Sequence, residues 1–256
     1  MRARIPSAAA AAVLSAAALA PAVPARAAAV PEVIGHRGYT GTGCTENTTC
    51  AFQAALALGA GAVEMDVRFT RTGYPVIMHD ATVGRTTTGS GAVSDMTETR
   101  FVALKTNDGG HPPTLAQALN VVHKAGRWAL VELKTVPTAG QMKIFDQKVA
   151  KAGMGRSNII IQSFSSPAVW TAKRDGWKIW RLLNYGTTAE WTWNYNGLAV
   201  PYDHISKAGV TKLHAHGVAV CAWTVNSPSI WTQLTLKGVD AIATDMNPSE
   251  VKKAVS

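Results

Sequence analysis

Strand-like and helix-like segments alternate along this chain from about residue 30 to its end. Eight short apolar runs are separated, in most cases, by segments with helical patterning. This order is typical of a (β/α)₈ barrel, which eight parallel strands close. An open, doubly wound sheet is the alternative that periodicity alone leaves. The predicted strands are Val33–His36, Ala62–Phe69, Trp128–Lys134, Asn158–Ser163, Lys178–Leu183, Gly197–Pro201, Val218–Thr224 and Val239–Thr244.

One long segment interrupts the alternation. About 45 residues separate the strand Ala62–Phe69 from the helix predicted to begin at Leu115. This segment opens with a turn at Gly73 and a second extended piece, Tyr74–His79. A loop of this length in a compact domain is usually functional or a small insertion. We therefore predict a single domain over residues 30–256, with a small insertion after its second strand.

Residues 1–29 are predicted to be a secretory signal peptide. Arg2 and Arg4 precede an uncharged stretch rich in alanine, Ala8–Ala20, which is too short to span a bilayer. We expect a secreted protein that has no stable membrane anchor. The small residues that follow would permit cleavage after Ala25, Ala27 or Ala29.

The chain is basic, with 25 Lys and Arg against 16 Asp and Glu and a net charge of +9. These cations are dispersed along the sequence, with no run of five or more. A dispersed pattern predicts a generally basic surface, and no nucleic-acid partner is expected.

The cysteines fall into two groups. Export permits disulfides, and Cys44 and Cys50 lie in one loop rich in glycine and threonine, so we expect them to pair. A helix is predicted over Asn47–Leu58, with Asn47 as its N-cap. Cys221 lies in an apolar run and is predicted to be a buried free thiol.

Carboxylates occupy positions where a barrel strand should be apolar. In Ala62–Phe69, Glu64 and Asp66 share one face because side chains alternate with period two. In the third strand, Glu132 and Lys134 share a face in the same way. Three carboxylates that converge inside a barrel form the oxygen-ligand set of a hard divalent cation, Mg²⁺ or Ca²⁺.

Two histidines end neighbouring extended segments. His36 is followed by Arg37, and His79 is followed by Asp80. Two imidazoles can share acid and base duty near neutral pH, and an arginine can bind phosphate oxygens bidentately. Beside the three carboxylates and Lys134, these residues predict a site that handles phosphate.

A set of short motifs follows in order along nearly the whole chain beyond residue 30. They are Gly35-His36-Arg37-Gly38, Glu46-Asn47-Thr48, Val63-Glu64-Met65-Asp66-Val67, Met78-His79-Asp80, Glu132-Leu133-Lys134, Ala222-Trp223-Thr224-Val225-Asn226 and Gly238–Asp245. In this order and spacing, the chain resembles the glycerophosphodiester phosphodiesterase family. The resemblance implies a TIM barrel of the phosphatidylinositol-phosphodiesterase-like type with a small insertion after the second strand.

The resemblance also implies an activity and a set of site residues. The activity is hydrolysis of a small-molecule glycerophosphodiester to glycerol 3-phosphate and an alcohol, with one divalent cation, Ca²⁺ or Mg²⁺. We expect a monomer. The implied site comprises the general acid–base pair His36 and His79, the metal ligands Glu64, Asp66 and Glu132, the phosphate contacts Arg37 and Lys134, the acidic residue Glu46 at the glycerol or metal side, and the aromatic Trp223 at the mouth.

A related enzyme acting on lipid phosphodiesters, of the sphingomyelinase D or lysophospholipase D kind, is the alternative function. Such an enzyme needs a surface for its lipid. The aromatic residues between the fifth and seventh strands are interpreted either as a rim that binds choline or touches a membrane, or as ordinary packing. They are Trp191, Trp193, Tyr195 and Tyr202.

Overall fold

The computed structural model describes residues 30–184 and 193–256, so the predicted signal peptide lies outside the described residues. No helix in these two ranges is long and apolar enough to cross a membrane. In chain order the elements are β1 (Glu32–Gly35), α1 (Thr49–Ala57), β2 (Ala62–Phe69), β3 (Pro75–Ile77), α2 (Glu98–Val102), α3 (Leu115–Lys124), β4 (Trp128–Leu133), α4 (Ala139–Lys151), β5 (Ile159–Ser163), α5 (Ser166–Arg174), β6 (Lys178–Leu182), β7 (Gly197–Pro201), α6 (Lys207–His214), β8 (Ala219–Trp223), α7 (Pro228–Lys237), β9 (Ala241–Thr244) and α8 (Pro248–Val255).

Eight parallel strands close into a barrel. Their order is β1-β9-β8-β7-β6-β5-β4-β2, and β1 pairs with β2 to complete the ring. The closing register sets Ile34 opposite Ala62 and Gly35 opposite Val63. The predicted barrel is therefore confirmed, and the open sheet is excluded. Most strand ends lie within one or two residues of their predicted positions.

Two layers of apolar side chains follow from the alternation along each strand. The outward face of β2, with Val63, Met65 and Val67, packs against the surrounding helices. The inward layer is smaller and includes Leu130, Trp180 and the buried free thiol Cys221. Both faces of the barrel wall are thus covered, and a polar side chain on the inward face needs a partner inside the barrel.

The predicted insertion is present after β2. Its strand β3 runs antiparallel to β2, with Ile77 opposite Val67, and α2 follows before the chain returns to the barrel at α3. Its apolar side chains form a separate small cluster that includes Met78, Met96 and Phe101. The insertion therefore has its own core, which fixes the residues that follow β3 at the carboxyl ends of the barrel strands.

The loop between β1 and α1 differs from its prediction at one residue. The helix begins at Thr49, and Thr48 is its N-cap, with the Ala51 N–H donating to Thr48 Oγ1 at 3.2 Å. Asn47 was wrongly predicted as the cap because its side chain bonds Asp66 instead, and its φ is +58°. The predicted disulfide joins Cys44 to Cys50 across this loop.

Candidate active site

Three buried carboxylates meet inside the barrel at the carboxyl ends of its strands. Glu64 and Asp66 project inward from β2, and Glu132 projects from β4, where the register sets it opposite Asp66. These three residues are only 1–6% exposed. One oxygen from each carboxylate lies within 4.8 Å of the others. The structure thus brings together the three predicted metal ligands.

Two cations partly balance this acidic triad. Lys134 Nζ lies 2.8 Å from Glu132 Oε1 and 3.3 Å from Asp66 Oδ1. Arg37 Nε lies 3.5 Å from Asp66 Oδ2, and the backbone N–H of Arg37 donates to Glu64 Oε2 at 3.0 Å. Arg37 has a φ of +56°, a left-handed conformation that is uncommon for a residue with a side chain. The strained turn after β1 therefore directs both the guanidinium and the backbone N–H of Arg37 at the triad.

The electrostatics of the triad fit a divalent cation. Burial and the charge of Asp66 raise the pKa of Glu64 to about 8, and the same two causes raise the pKa of Glu132. Burial acts in the same direction on Asp66, but Lys134 and Arg37 outweigh it and lower the pKa of that carboxyl group. Three carboxyl groups face only two cations here, so full ionisation of this buried cage of oxygen atoms is unfavourable unless a further cation binds. Ca²⁺ and Mg²⁺ prefer such ligands.

His36 follows the end of β1 and is held from the neighbouring strand β9. Its Nδ1 lies 2.7 Å from Asp245 Oδ1, just after β9, and Asn226 Nδ2 donates to Asp245 Oδ2 at 2.8 Å. Burial lowers the pKa of His36, but the hydrogen bond to Asp245 and the charges of Glu64 and Asp245 outweigh it. The net pKa of His36 is therefore raised.

His79 lies on the insertion, directly after β3. Its Nδ1 lies 2.7 Å from Asp80 Oδ1. Burial is the largest influence on this imidazole, and its pKa is lowered despite the neighbouring carboxylates of Asp66 and Asp80. The two imidazoles line the same cavity, but their pKa values move in opposite directions.

Arg85 joins the two loops that flank the site. Its guanidinium donates to Asp80 Oδ2 at 2.5 Å and to both oxygens of Glu46, at 2.7 Å and 3.0 Å. Glu46 also accepts from Arg37 at 3.2 Å. A continuous chain of charged groups thus runs from His79 through Arg85 and Glu46 to Arg37. The predicted role of Glu46, an acidic residue at the glycerol or metal side of the substrate, stays a prediction.

Several residues that position the site were not identified as such from the sequence. Asn47 Nδ2 donates to Asp66 Oδ2 at 2.7 Å, and the Asp66 N–H donates back to Asn47 Oδ1 at 3.2 Å. The carboxylates of Asp80 and Asp245, which orient the imidazoles, belong to motifs that carried the resemblance. Arg85 opens the Thr-rich and Gly-rich stretch of the insertion, and no other signal marked it.

A small cavity of about 100 Å³ opens beside the triad. Phe164 and Trp223 flank it with their rings edge to face, 5.6 Å apart, so the predicted aromatic does line the mouth. Seven predicted residues border this one space: His36, Arg37, Glu64, His79, Glu132, Lys134 and Trp223. The much larger groove outside the barrel, about 990 Å³ between α1 and α3, has no carboxylate in its lining and is not the site.

The described aromatic residues that were considered for a rim do not lie together: Tyr202 directly follows β7 at the mouth end, whereas Trp193 and Tyr195 precede β7. Trp193 stacks on His216, just before β8, and the Ala219 N–H donates to the Asn196 carbonyl at 3.0 Å. Trp193 and Tyr195 therefore lie where the strands begin, at the opposite end of the barrel from the cavity. Trp191 lies outside the described residues.

Known proteins are similar to this chain in sequence and in fold. The family model of the glycerophosphoryl diester phosphodiesterase family matches residues 36–247. A glycerophosphodiester phosphodiesterase of Caldanaerobacter subterraneus is 30% identical over 230 residues, covering 83% of this chain and 93% of that protein. One of Bacillus altitudinis is 27% identical over 250 residues, covering 86% and 97%.

A solved structure shows the same likeness. The chain aligns with an Oleispira antarctica phosphodiesterase in complex with the product sn-glycerol-3-phosphate, with a TM-score of 0.77 and 26% identity over 88% of this chain and 97% of the other. The barrel, its acidic triad and these matches define the class as phosphoric diester hydrolases. Within that class, the chain belongs to the glycerophosphoryl diester phosphodiesterase family.

Proposed function

We propose that this chain is a secreted, metal-dependent enzyme that hydrolyses glycerophosphodiesters to glycerol 3-phosphate and an alcohol. The observation that carries the proposal is the buried triad of Glu64, Asp66 and Glu132, of which Glu64 and Glu132 border the same small cavity as the two imidazoles. The family to which the chain belongs supports the same substrate class.

The residues around the triad account for binding of the phosphate. The guanidinium of Arg37 and the ammonium group of Lys134 provide donors beside the cavity, so both can bind phosphate oxygens. The triad would hold one divalent cation, Ca²⁺ or Mg²⁺, which when bound neutralises phosphate charge and activates an oxygen. Trp223 and Glu46 are proposed to contact the rest of the substrate.

The two histidines provide proton transfer. The Nδ1 atom of His36 is hydrogen-bonded to Asp245, and that of His79 is hydrogen-bonded to Asp80. The Nε2 atom of each imidazole is therefore left for the substrate. One Nε2 takes the proton of the attacking oxygen, which is either water or the glycerol 2-hydroxyl group; attack by the hydroxyl group gives a cyclic phosphodiester, which water must then open to give glycerol 3-phosphate. The other Nε2 gives a proton to the oxygen of the departing alcohol as its bond to phosphorus breaks.

A substrate panel tests the activity and separates it from the alternative. Glycerophosphocholine, glycerophosphoethanolamine and glycerophosphoglycerol are offered beside lysophosphatidylcholine and sphingomyelin, and glycerol 3-phosphate is measured. Release of glycerol 3-phosphate from the water-soluble diesters is expected. Headgroup release from the two lipids alone would replace the proposal with the sphingomyelinase D or lysophospholipase D-like activity.

Removal and return of metal tests the role of the triad. EDTA is expected to abolish turnover, and adding Ca²⁺ and Mg²⁺ back separately identifies the cation used. Glu64→Gln should weaken cation binding, measured by calorimetry. Glu250→Gln, on the exposed first turn of α8, is the matched control and should bind as the wild type does. Full turnover in EDTA by extensively dialysed protein would refute the metal dependence.

Secretion rests on the pattern of residues 1–29, and the disulfide between Cys44 and Cys50 suits an oxidising compartment. Mass spectrometry of the exported protein should give an N-terminus just after Ala25, Ala27 or Ala29. Protein found only inside the cell with residue 1 intact would contradict export. Light scattering of the same preparation checks the proposed monomer.

A further inference from the structure

The cations of this chain are dispersed in sequence but gathered in space. Each barrel helix runs back from the mouth, so the last turns of the helices meet at the amino-terminal face, the end where the strands begin. Exposed lysines occupy the last turns of α3, α4, α5, α6 and α8. They are Lys124, Lys151, Lys173, Lys212, Lys252 and Lys253.

More cations lie where the strands themselves begin. Arg127 directly precedes β4, and Lys178 is the first residue of β6, and both are exposed. In the described part of the chain, neither they nor the six lysines take part in an ion pair. The few acids nearby are in part already used, since Asp146 pairs with Arg156 at 3.2 Å and Asp240 with His214 at 2.7 Å.

The mouth of the barrel shows the opposite arrangement. Three of its cations, Arg37, Arg85 and Lys134, are paired with carboxylates. Cations in the last turn of a helix interact favourably with the helix dipole, which accounts for part of the excess of lysines at this face. Arg127 and Lys178 begin strands, where no such requirement acts. The amino-terminal face therefore carries positive charge beyond what the helices need.

Aromatic rings accompany these cations. Trp193 is 40% exposed, stacks on His216 with the ring centroids 3.5 Å apart, and has Lys212 Nζ 5.8 Å from its centre. Trp170 has Lys173 Nζ 4.9 Å from its ring. Tryptophan beside lysine is the combination enriched where proteins meet lipid headgroups.

The same face contains a cleft between the strand starts. Its volume is about 320 Å³, and Arg127, Lys178 and the amide of Asn158 border it, together with Glu32 and Trp128. Two cations without carboxylate partners on one polar cleft match a phosphate group in charge.

We propose that the amino-terminal face docks the barrel on a bilayer rich in anionic lipid, with lipid phosphates against Arg127 and Lys178. Charge complementarity favours this partner, and the exposed Trp193 adds an apolar contact at headgroup depth. Docking in this way would turn the mouth away from the bilayer. On the proposed function, the enzyme would then take water-soluble glycerophosphodiesters while held near a membrane.

Vesicle sedimentation tests the proposal. The chain is used from Val30 onwards, because the apolar N-terminal segment would itself enter lipid, and the apolar clusters lie between Val33 and Val255. Vesicles of neutral phosphatidylcholine are compared with vesicles that contain about one third phosphatidylglycerol, at low and high salt. Binding is expected only to the anionic vesicles and should be lost at high salt.

Two double variants locate the surface. Arg127→Glu with Lys178→Glu should lower partitioning at least about tenfold. The control, Arg71→Glu with Lys207→Glu, changes net charge equally on exposed residues at the mouth end of the barrel, since Arg71 follows β2 and Lys207 begins α6, and it should bind nearly as the wild type does. Thermal unfolding checks that both variants fold.

Three outcomes would overturn the docking proposal: equal loss of binding in both double variants, equal binding to neutral vesicles, or binding to soluble polyphosphate with none to vesicles. Hydrolysis of glycerophosphocholine in solution is measured separately. Loss of hydrolysis with vesicle binding intact would count against the proposed function alone.

Discussion

His36 and His79 line one cavity, but two different parts of the molecule hold them. His36 is fixed by the barrel itself, since its partner Asp245 follows β9 and Asn226, which holds Asp245, follows β8. His79 is fixed by the insertion, since Asp80 is its neighbour in sequence. Arg85, also on the insertion, holds Asp80 in turn.

The two environments shift the pKa values of the imidazoles in opposite directions. Burial lowers the pKa of both rings, but only at His36 do the Asp245 hydrogen bond and nearby carboxylates reverse the effect. An enzyme that needs one protonated and one neutral imidazole at the same pH benefits from such a separation. The difference teaches that the insertion completes a site that the barrel provides only in part.

The largest effects should come from removing either imidazole. His36→Ala and His79→Ala are each expected to lower kcat about 10³-fold, because each removes one proton transfer. His111→Ala, an exposed histidine of the insertion, is the control and should leave kcat unchanged. Circular dichroism confirms folding. A folded His79→Ala variant with near wild-type kcat would show that the insertion plays no part in the chemistry.

The orienting carboxylates should matter less. Asp245→Asn is expected to lower kcat about 10- to 100-fold, because an isosteric amide no longer fixes the tautomer of His36. It also removes the interaction that raises the pKa of His36. The limb of the pH–rate profile that reports His36 should therefore move to lower pH. A profile that keeps its shape, with only kcat reduced, would mean that another group sets that limb.

The parts of this site that could be predicted from the sequence are those that follow the two-residue alternation of side chains along a strand. Alternation along Ala62–Phe69 was enough to place Glu64 and Asp66 on the inner face, and the repeat in β4 added Glu132. The strand–helix order predicted the barrel, because only local patterning is needed to recognise each element.

Other parts depend on how the barrel closes. His36 and Asp245 are 209 residues apart, and they meet because β1 pairs with β9. Arg85 reaches Glu46 across 39 residues only after the insertion packs over the β1–α1 loop. No periodicity signals such pairs. The same reason explains why dispersed lysines gave no sign of a common face: the helix ends that carry them meet only in three dimensions.

Substitution of Arg85 tests how far the insertion and the β1–α1 loop of the barrel depend on each other. Arg85→Ala should lower kcat about tenfold or less, because Asp80 and Glu46 each lose one partner while His79 and Arg37 remain. A double-mutant cycle with Glu46→Gln measures the coupling. Arg100→Ala, elsewhere on the insertion, controls for loss of charge. Effects of Arg85→Ala and Glu46→Gln that simply add would show that the two loops act independently.

The smallest effect on turnover should come from the disulfide, which constrains the loop common to both halves. Cys44 and Cys50 flank Glu46 and Asn47, and Asn47 bonds Asp66 independently of the bridge. Cys44→Ser with Cys50→Ser should lower the free energy of unfolding by about 2 kcal/mol, since the bridge restricts a short loop in the unfolded chain. Denaturant unfolding measures this loss. Turnover should change less than about threefold, because the two hydrogen bonds between Thr45 and Asp108 persist and hold the same loop. A large fall in kcat without a fall in stability would instead mean that the bridge positions Glu46 or Asn47 directly, and both halves of the site would then rest on it.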